Sequence, residues 1–335
     1  MTIGIGVIGT GWIGEEHVRR LTHLVSGAKV AAVTDIDLQR AAEVAGIAGA
    51  EVVDSAEKLI DGPAVDAVVV TSWGPVHAEQ VLACIKAGKS VFCEKPLTTD
   101  AADGLRVMEA EQAFGRRLVQ VGFMRRYDPG YREMKDVIDA GRIGVPLMAH
   151  CVHRNPSVRE SYHSAMAAQD TAVHEIDTLR WLLADEFTSV QVLTPRKTSK
   201  RFEHLQDPQM LLLETAAGAR VDVEVFVNCQ YGYDIQCEVV GETGTVRLPD
   251  PARAGIRTAA TSGYGIVQEF KDRFTVAFDV ELQEWIDAVA NEEEPTGPSS
   301  WDGYAATVVT NAAVQALDSG LIVPVDLPER PSFYA

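Results

Sequence analysis

The sequence of 335 residues lacks any C-x-x-C pair among its five cysteines, Cys84, Cys93, Cys151, Cys229 and Cys237. An odd, scattered set sets aside both a zinc site and a disulfide framework, so no metal is expected. Free thiols suit a reducing cytosol, and a cytoplasmic location is expected. No apolar run approaches the ~18 residues of a membrane helix. The chain enters an apolar strand without a basic region or small-residue cleavage site, so no signal peptide is expected. Cations are also short: 30 Lys and Arg against 48 Asp and Glu leave a net charge of −18. That excess repels nucleic acid and anionic membranes, and neither is expected as a partner. A neutral small molecule is indifferent to it. No fixed-period repeat and no low-complexity tract is visible.

What is present is an alternation. Ile3 to Ile8 is a short apolar run ending in glycine, 13–25 carries helical spacing, and Lys29 to Thr34 is a β-branched run closed by Asp35. This is a βαβ unit. Helical 38–45, 77–87 and 101–114 then alternate with apolar strands at 65–71, 90–93 and 118–122. Continuous apolar strands between helices predict a doubly wound parallel sheet, a Rossmann domain over 1–122. The texture changes afterwards. Helices are predicted at 130–140, 172–183, 276–289 and 302–318, and alternating or β-branched strands at 147–152, 189–193, 210–214, 220–228, 235–241 and 245–248. Neighbouring strands joined by short turns favour an antiparallel sheet, so 123–335 reads as an α+β domain with a large, mostly antiparallel open sheet.

The first turn is Gly9-Thr10-Gly11-Trp12-Ile13-Gly14. G-x-G-x-x-G gains meaning from its place between a strand and a helix. Gly9 permits the tight turn, Gly11 admits the pyrophosphate, and Gly14 allows close helix–strand packing. The helix start offers free N–H groups to phosphates. Asp35, ending the second strand, can accept bonds from both adenosine ribose hydroxyls and repels a 2′-phosphate, which favours NAD over NADP. A structural glycine turn beside a solvated aspartate is the plainer alternative. Trp12 is bulky for this turn; packing over the phosphates and narrowing the cleft both remain open.

Glu94-Lys95-Pro96 follows a strand of the parallel sheet, where ligands bind. A lysine there can hydrogen-bond a reacting oxygen or stabilise its charge; a solvated surface lysine is the alternative. Asp170 and His174 stand four apart in Asp170-Thr171-Ala172-Val173-His174-Glu175-Ile176-Asp177. On a helix they share one face, and an aspartate beside a histidine makes a general base near neutral pH. A purely structural pair, or Asp170 as a helix cap, explains the same spacing. Arg125-Arg126-Tyr127-Asp128 and His153-Arg154-Asn155-Pro156 offer polar groups for several hydroxyls, or equally a surface ion-pair network.

Together with TDID, TSWGP, VFCEKPL, VQVGFMRRYD, DTAVHEID, VNCQYGYDIQCEVVGE, WDGY and the terminal PSFY, these stretches resemble the glucose–fructose oxidoreductase/inositol dehydrogenase family over nearly the whole chain. HRNP, DTxxHEID and YGYDIQCE are similar to its inositol-oxidising branch. The resemblance implies NAD-dependent oxidation of myo-inositol to scyllo-inosose, with another cyclic polyol or sugar as the alternative substrate. It implies Lys95, Asp170 and His174 as catalytic residues, with His174 the base. Lys95, Arg125, His153, Asn155, Asp170, His174 and Tyr233 would meet the polyol, supported by Asp177. Gly9, Gly11, Trp12, Ile13, Gly14, Asp35, Ser72, Trp73, His77, Glu94 and Lys95 would meet NAD. The family's open sheet face implies a homotetramer.

Overall fold

The structure is a computed structural model that describes residues 2–250 and 254–335. In chain order come β1 (Ile3–Ile8), α1 (Trp12–His23), β2 (Ala28–Thr34), α2 (Leu38–Ala48), β3 (Glu51–Val52), α3 (Ala56–Ile60), β4 (Ala67–Val70), α4 (His77–Lys86), β5 (Ser90–Glu94), α5 (Ala101–Phe114) and β6 (Val119–Gly122). The strands form one sheet in the order β3-β2-β1-β4-β5-β6, with every neighbouring pair parallel. The order reverses between β1 and β4, which makes their carboxyl ends a ligand crevice. Every residue of β4 is buried, as expected of a strand covered on both faces. Polar side chains cap three helices: Asp37 for α2, Ser55 for α3 and Asp100 for α5. Each satisfies backbone N–H groups that have no partner inside the helix. At the start of α1, by contrast, Gly11 provides no side-chain cap.

Beyond these lie α6 (Pro129–Asp139), β7 (Pro146–Arg154), α7 (Val173–Leu183), β8 (Phe187–Leu193), β9 (Gln209–Thr215), β10 (Arg220–Phe226), β11 (Asp234–Gly241), β12 (Thr245–Arg247), β13 (Gly255–Thr258), β14 (Thr261–Tyr264), α8 (Phe270–Arg273), α9 (Thr275–Ala290), α10 (Ser300–Ser319) and β15 (Val323–Pro324). A seven-stranded sheet runs β12-β11-β7-β10-β9-β8-β15. Its pairs are antiparallel except β7 with β10, which are parallel. The mixed sheet follows from the crossover through α7, β8 and β9 that separates those two strands. Burial alternates along β9 and β10, so one face is covered and the other is more open. β7 runs two residues past the expected strand end. Its alternation therefore puts His153 on the covered face with Ala149 and Cys151.

Two differences from the sequence reading have physical causes. The contacts divide the chain into one unit of Met1–Met124, Phe278–Thr307 and Pro328–Ala335, and a second of Arg125–Ala277 and Val308–Leu327. The expected single boundary at 122 fails to return the late segments to the first unit. Leu282, Trp285 and Ile286 of α9 share a core with Ile5, Val30 and Phe92; burying that apolar stripe fixes the helix there, whatever the chain order. The second difference is the hairpin β13–β14, exposed at every residue. It carries no alternating apolar signal to read.

Candidate active site

In the first unit the glycine turn has two kinds of glycine. A Cβ on Gly9, whose φ is +93°, would lie 2.6 Å from the Ser72 nitrogen, and one on Gly14 would lie 2.1 Å from the Gly9 oxygen. The fold therefore demands both. A Cβ on Gly11 would meet nothing within 4 Å. That open space beside the uncapped helix start fits the pyrophosphate of a dinucleotide. Ile13 is half-buried in the first turn of α1, and Trp12 is 39% exposed beside it.

Asp35 closes β2 and braces the turn. Its Oδ2 accepts from the Thr10 backbone N–H at 2.6 Å and the Thr10 hydroxyl at 3.1 Å, while Oδ1 accepts from the Asp37 N–H at 2.9 Å. Arg40 Nε donates to the Thr10 carbonyl at 2.6 Å. The carboxylate thus sets the turn's shape at the carboxyl end of β2.

The loops beyond β4 and β5 are tied together. His77 is buried, with Nδ1 2.8 Å from the Pro96 carbonyl and Nε2 2.9 Å from the Ser72 carbonyl. Burial pushes its pKa below the ordinary value, against the two carbonyls, which favour the charged ring. The Ser72 hydroxyl donates to Gln80 at 2.6 Å, and Trp73 is 77% exposed. Glu94 is buried with its carboxylate on His17, at 2.7 Å, and on the Lys95 backbone N–H, at 3.1 Å. The side chains of His77 and Glu94, expected at the cofactor, are struts inside the loops. Lys95 is half-buried immediately past β5.

In the second unit His153, His174 and Tyr233 come together. The His153 ring lies 5.6 Å from Tyr233, edge to face, and 6.3 Å from His174. All three are nearly buried. Gly232, at φ +153°, lets Tyr233 approach: a Cβ there would lie 2.6 Å from Ile266. The Tyr233 N–H donates to the Val267 carbonyl at 2.7 Å. Burial pushes the Tyr233 phenol up to about 12, partly offset by Arg125. Asn155 follows β7 and is held by backbone bonds to Phe226 and Cys229, both 3.0 Å.

Asp170 sits in a π-helical turn, Ala167–Ala172, that runs directly into α7. Hydrogen bonds there step by five residues, so the simple one-turn relation to His174 expected from an α-helix is altered. Such widened turns concentrate at functional sites.

Arg125 is committed inside the second unit instead of facing a pocket. It is 1% exposed and ion-paired to buried Glu175. His153 Nδ1 lies 3.0 Å from Glu175 and 3.1 Å from Arg125. Burial would raise the Glu175 carboxyl, but the Arg125 charge and His153 overcome it and hold the pKa low, at about 2. Asp177, fully buried, takes Arg126 Nε at 3.0 Å as part of a two-bond pair. Sequence reasoning missed Glu175 and His17. A carboxylate set between the apolar residues Val173, Ile176 and Leu179 of a helix was the available signal for Glu175. Among the described residues no cluster suited to a metal ion occurs, and no helix is long and apolar enough to cross a membrane.

The crevice at the strand-order reversal, open beside Gly11 and with Lys95 just past the adjoining strand, suits a dinucleotide, and the similarities that follow make the protein an NAD-dependent oxidoreductase acting on a CH–OH group. The oxidoreductase family model for the NAD-binding Rossmann fold matches residues 3–123, and the GFO/IDH/MocA C-terminal domain matches 131–247. The chain belongs to this GFO/IDH/MocA oxidoreductase family. It is 67% identical to inositol 2-dehydrogenase 3 of Saccharopolyspora erythraea, over 100% of this chain and 98% of that one. It is 58% identical to inositol 2-dehydrogenase of Azotobacter vinelandii, over 100% and 99%. The crystal structure of myo-inositol dehydrogenase from Lactobacillus casei with NAD(H) and myo-inositol matches at a TM-score of 0.98 and 40% identity, covering 100% of both chains.

Proposed function

We propose that this protein is an NAD-dependent inositol 2-dehydrogenase that converts myo-inositol and NAD⁺ to scyllo-inosose, NADH and a proton. The observation that carries this is the full-length match to the Lactobacillus casei dehydrogenase solved with NAD(H) and myo-inositol. The 67% and 58% identical relatives carry the same activity in their names.

When bound, NAD⁺ would supply the hydride acceptor at its nicotinamide ring. The chain supplies the rest. Gly9, Gly11, Ile13 and Gly14 present backbone to the pyrophosphate, Asp35 selects the nucleotide, and Trp12, Ser72 and Trp73 border the cofactor. Lys95 hydrogen-bonds the reacting oxygen. His174 accepts the hydroxyl proton, with Asp170 in support. His153, Asn155 and Tyr233 hold other hydroxyls, with Asp177, paired to Arg126, in support. Glu94, His77 and Arg125 act from behind these surfaces.

The working form in this reading is a cytoplasmic homotetramer. The open face of the seven-stranded sheet supports the assembly, and five free cysteines support the compartment. Incubation with a panel of inositols and sugars plus NAD⁺ or NADP⁺, read by nicotinamide absorbance, tests the proposal. The expected result is fastest reduction with myo-inositol and NAD⁺. Preference for an acyclic alcohol, or no reduction at all, would overturn it.

A further inference from the structure

We propose that His17 is a positioning residue for Lys95, acting through Glu94. His17 lies on α1, the helix whose first turn forms the glycine motif, and is 0% exposed. Its Nε2 meets Glu94 Oε1 at 2.7 Å, and among the described residues its Nδ1 has no hydrogen-bond partner. An N–H on Nε2 donates to the Glu94 carboxylate, which gives that buried oxygen a partner. The other Glu94 oxygen, Oε2, accepts the backbone N–H of Lys95 at 3.1 Å.

The carboxylate is therefore held from both sides. His17 is itself fixed, edge-on to Phe92 at 5.7 Å and to Phe278 at 5.9 Å. A Cβ on Gly122 would lie 3.2 Å from the Glu94 carboxyl carbon, so glycine at the end of β6 keeps clear the space that the carboxylate occupies. The result is a chain of contacts running from the phosphate-binding helix through one carboxylate to the backbone of the lysine. Glu94, with both oxygens bonded, ties the Lys95 backbone to the helix that follows the glycine turn. The link fixes the backbone from which the Lys95 side chain starts, and so the region that its amine can reach.

The inference rests on the reading that Lys95 acts on the reacting oxygen, and the test separates the two. In His17→Phe the ring volume stays and the donor goes; in His17→Gln an amide N–H replaces it. We expect His17→Phe to lower kcat about 10–100-fold, the scale of a misplaced catalytic group. KM for NAD⁺ should stay within about threefold, and His17→Gln should recover most of the rate. In a Lys95→Ala background, His17→Phe should cause no further loss, because two residues acting as one unit are not additive. An equal loss in both backgrounds would make His17 merely structural and overturn the proposal. A readout without turnover accompanies this. The rate at which acetic anhydride labels Lys95, mapped by peptide and compared with exposed Lys58 in the same molecule, should change severalfold in His17→Phe and return in His17→Gln. Unchanged labelling of a folded, NAD⁺-binding variant would also overturn it. If wild-type protein reduces no NAD⁺ with any polyol, the functional reading fails while the labelling still decides the role of His17.

Discussion

In the unit that carries the glycine turn, the parts offered to a ligand are mostly backbone: an open Gly11, an uncapped helix start and the ends of parallel strands. In the unit that carries His174, they are side chains held by other side chains. Glu175 takes Arg125, Asp177 takes Arg126, and His153 rests on the first pair. Backbone sites depend on what is missing at a few neighbouring positions. Side-chain sites depend on partners far apart in sequence, 50 residues for Arg125 and Glu175. The first kind is robust to surface charge and sensitive to one methyl group. The second tolerates a methyl group and is sensitive to one lost charge.

Substitutions sharpen that contrast, beginning with the largest effects. Lys95→Ala should lower kcat by roughly 10²–10⁴-fold while NAD⁺ still binds, since the glycine turn is untouched. Turnover within threefold of wild type would remove the lysine from the mechanism. His174→Gln should also lower kcat strongly and flatten the acidic limb of kcat/KM, which arises because a protonated imidazole accepts no proton. Asp170→Asn should slow turnover too, and the double variant should fall short of additive. A mutant that keeps the wild-type limb and rate would make His174 structural.

Glu175→Gln should destabilise the protein by roughly 3–5 kcal/mol, because Arg125 is left buried without its charge partner. The same pair sets acid stability. A carboxyl depressed from 4.5 to about 2 contributes fully above pH 4.5 and loses its contribution as pH falls toward 2. The amount is about 3 kcal/mol. Urea melts from pH 6 downward should show this slope in wild type and lose it in Glu175→Gln; parallel slopes would contradict it.

Two glycines test the other side of the comparison. Gly14→Ala should unfold more easily, by about 1–3 kcal/mol, since its Cβ meets the Gly9 carbonyl. Gly11→Ala should leave the cofactor-free melting temperature unchanged and weaken only NAD⁺ binding. Equal melting shifts would show that Gly11 is structural. The smallest expected effect is Asp35→Ser, which should weaken NAD⁺ and relax discrimination against NADP⁺. A modest loss of stability should accompany it, since Thr10 loses its carboxylate partner. An unchanged cofactor ratio would locate nucleotide choice elsewhere.

The same contrast explains what the sequence disclosed. The parallel sheet, the glycine turn and the places of Asp35 and Lys95 just past β2 and β5 were legible because their signals are local: continuous apolar strands and residues at fixed offsets. The antiparallel character of the second sheet was legible from alternation, but the parallel β7–β10 pair was not, because pairing across a crossover leaves no local mark. The place of α9 was hidden for the same reason; Leu282, Trp285 and Ile286 read as an apolar stripe without naming what they cover. Arg125 looked like a hydroxyl ligand because its partner, Glu175, lies on another element. The π-helical turn at Asp170 was invisible, since widening by one residue needs no particular composition.

Transfer of a labelled hydrogen tests the central claim most directly. With myo-inositol deuterated at C2 and unlabelled NAD⁺, NMR should find the deuterium on the nicotinamide C4 of the product, together with scyllo-inosose as the ketone formed. Turnover should slow in step when Lys95→Ala replaces wild type. Deuterium retained on the ring while another carbon is oxidised, or deuterium lost to water, would contradict the account.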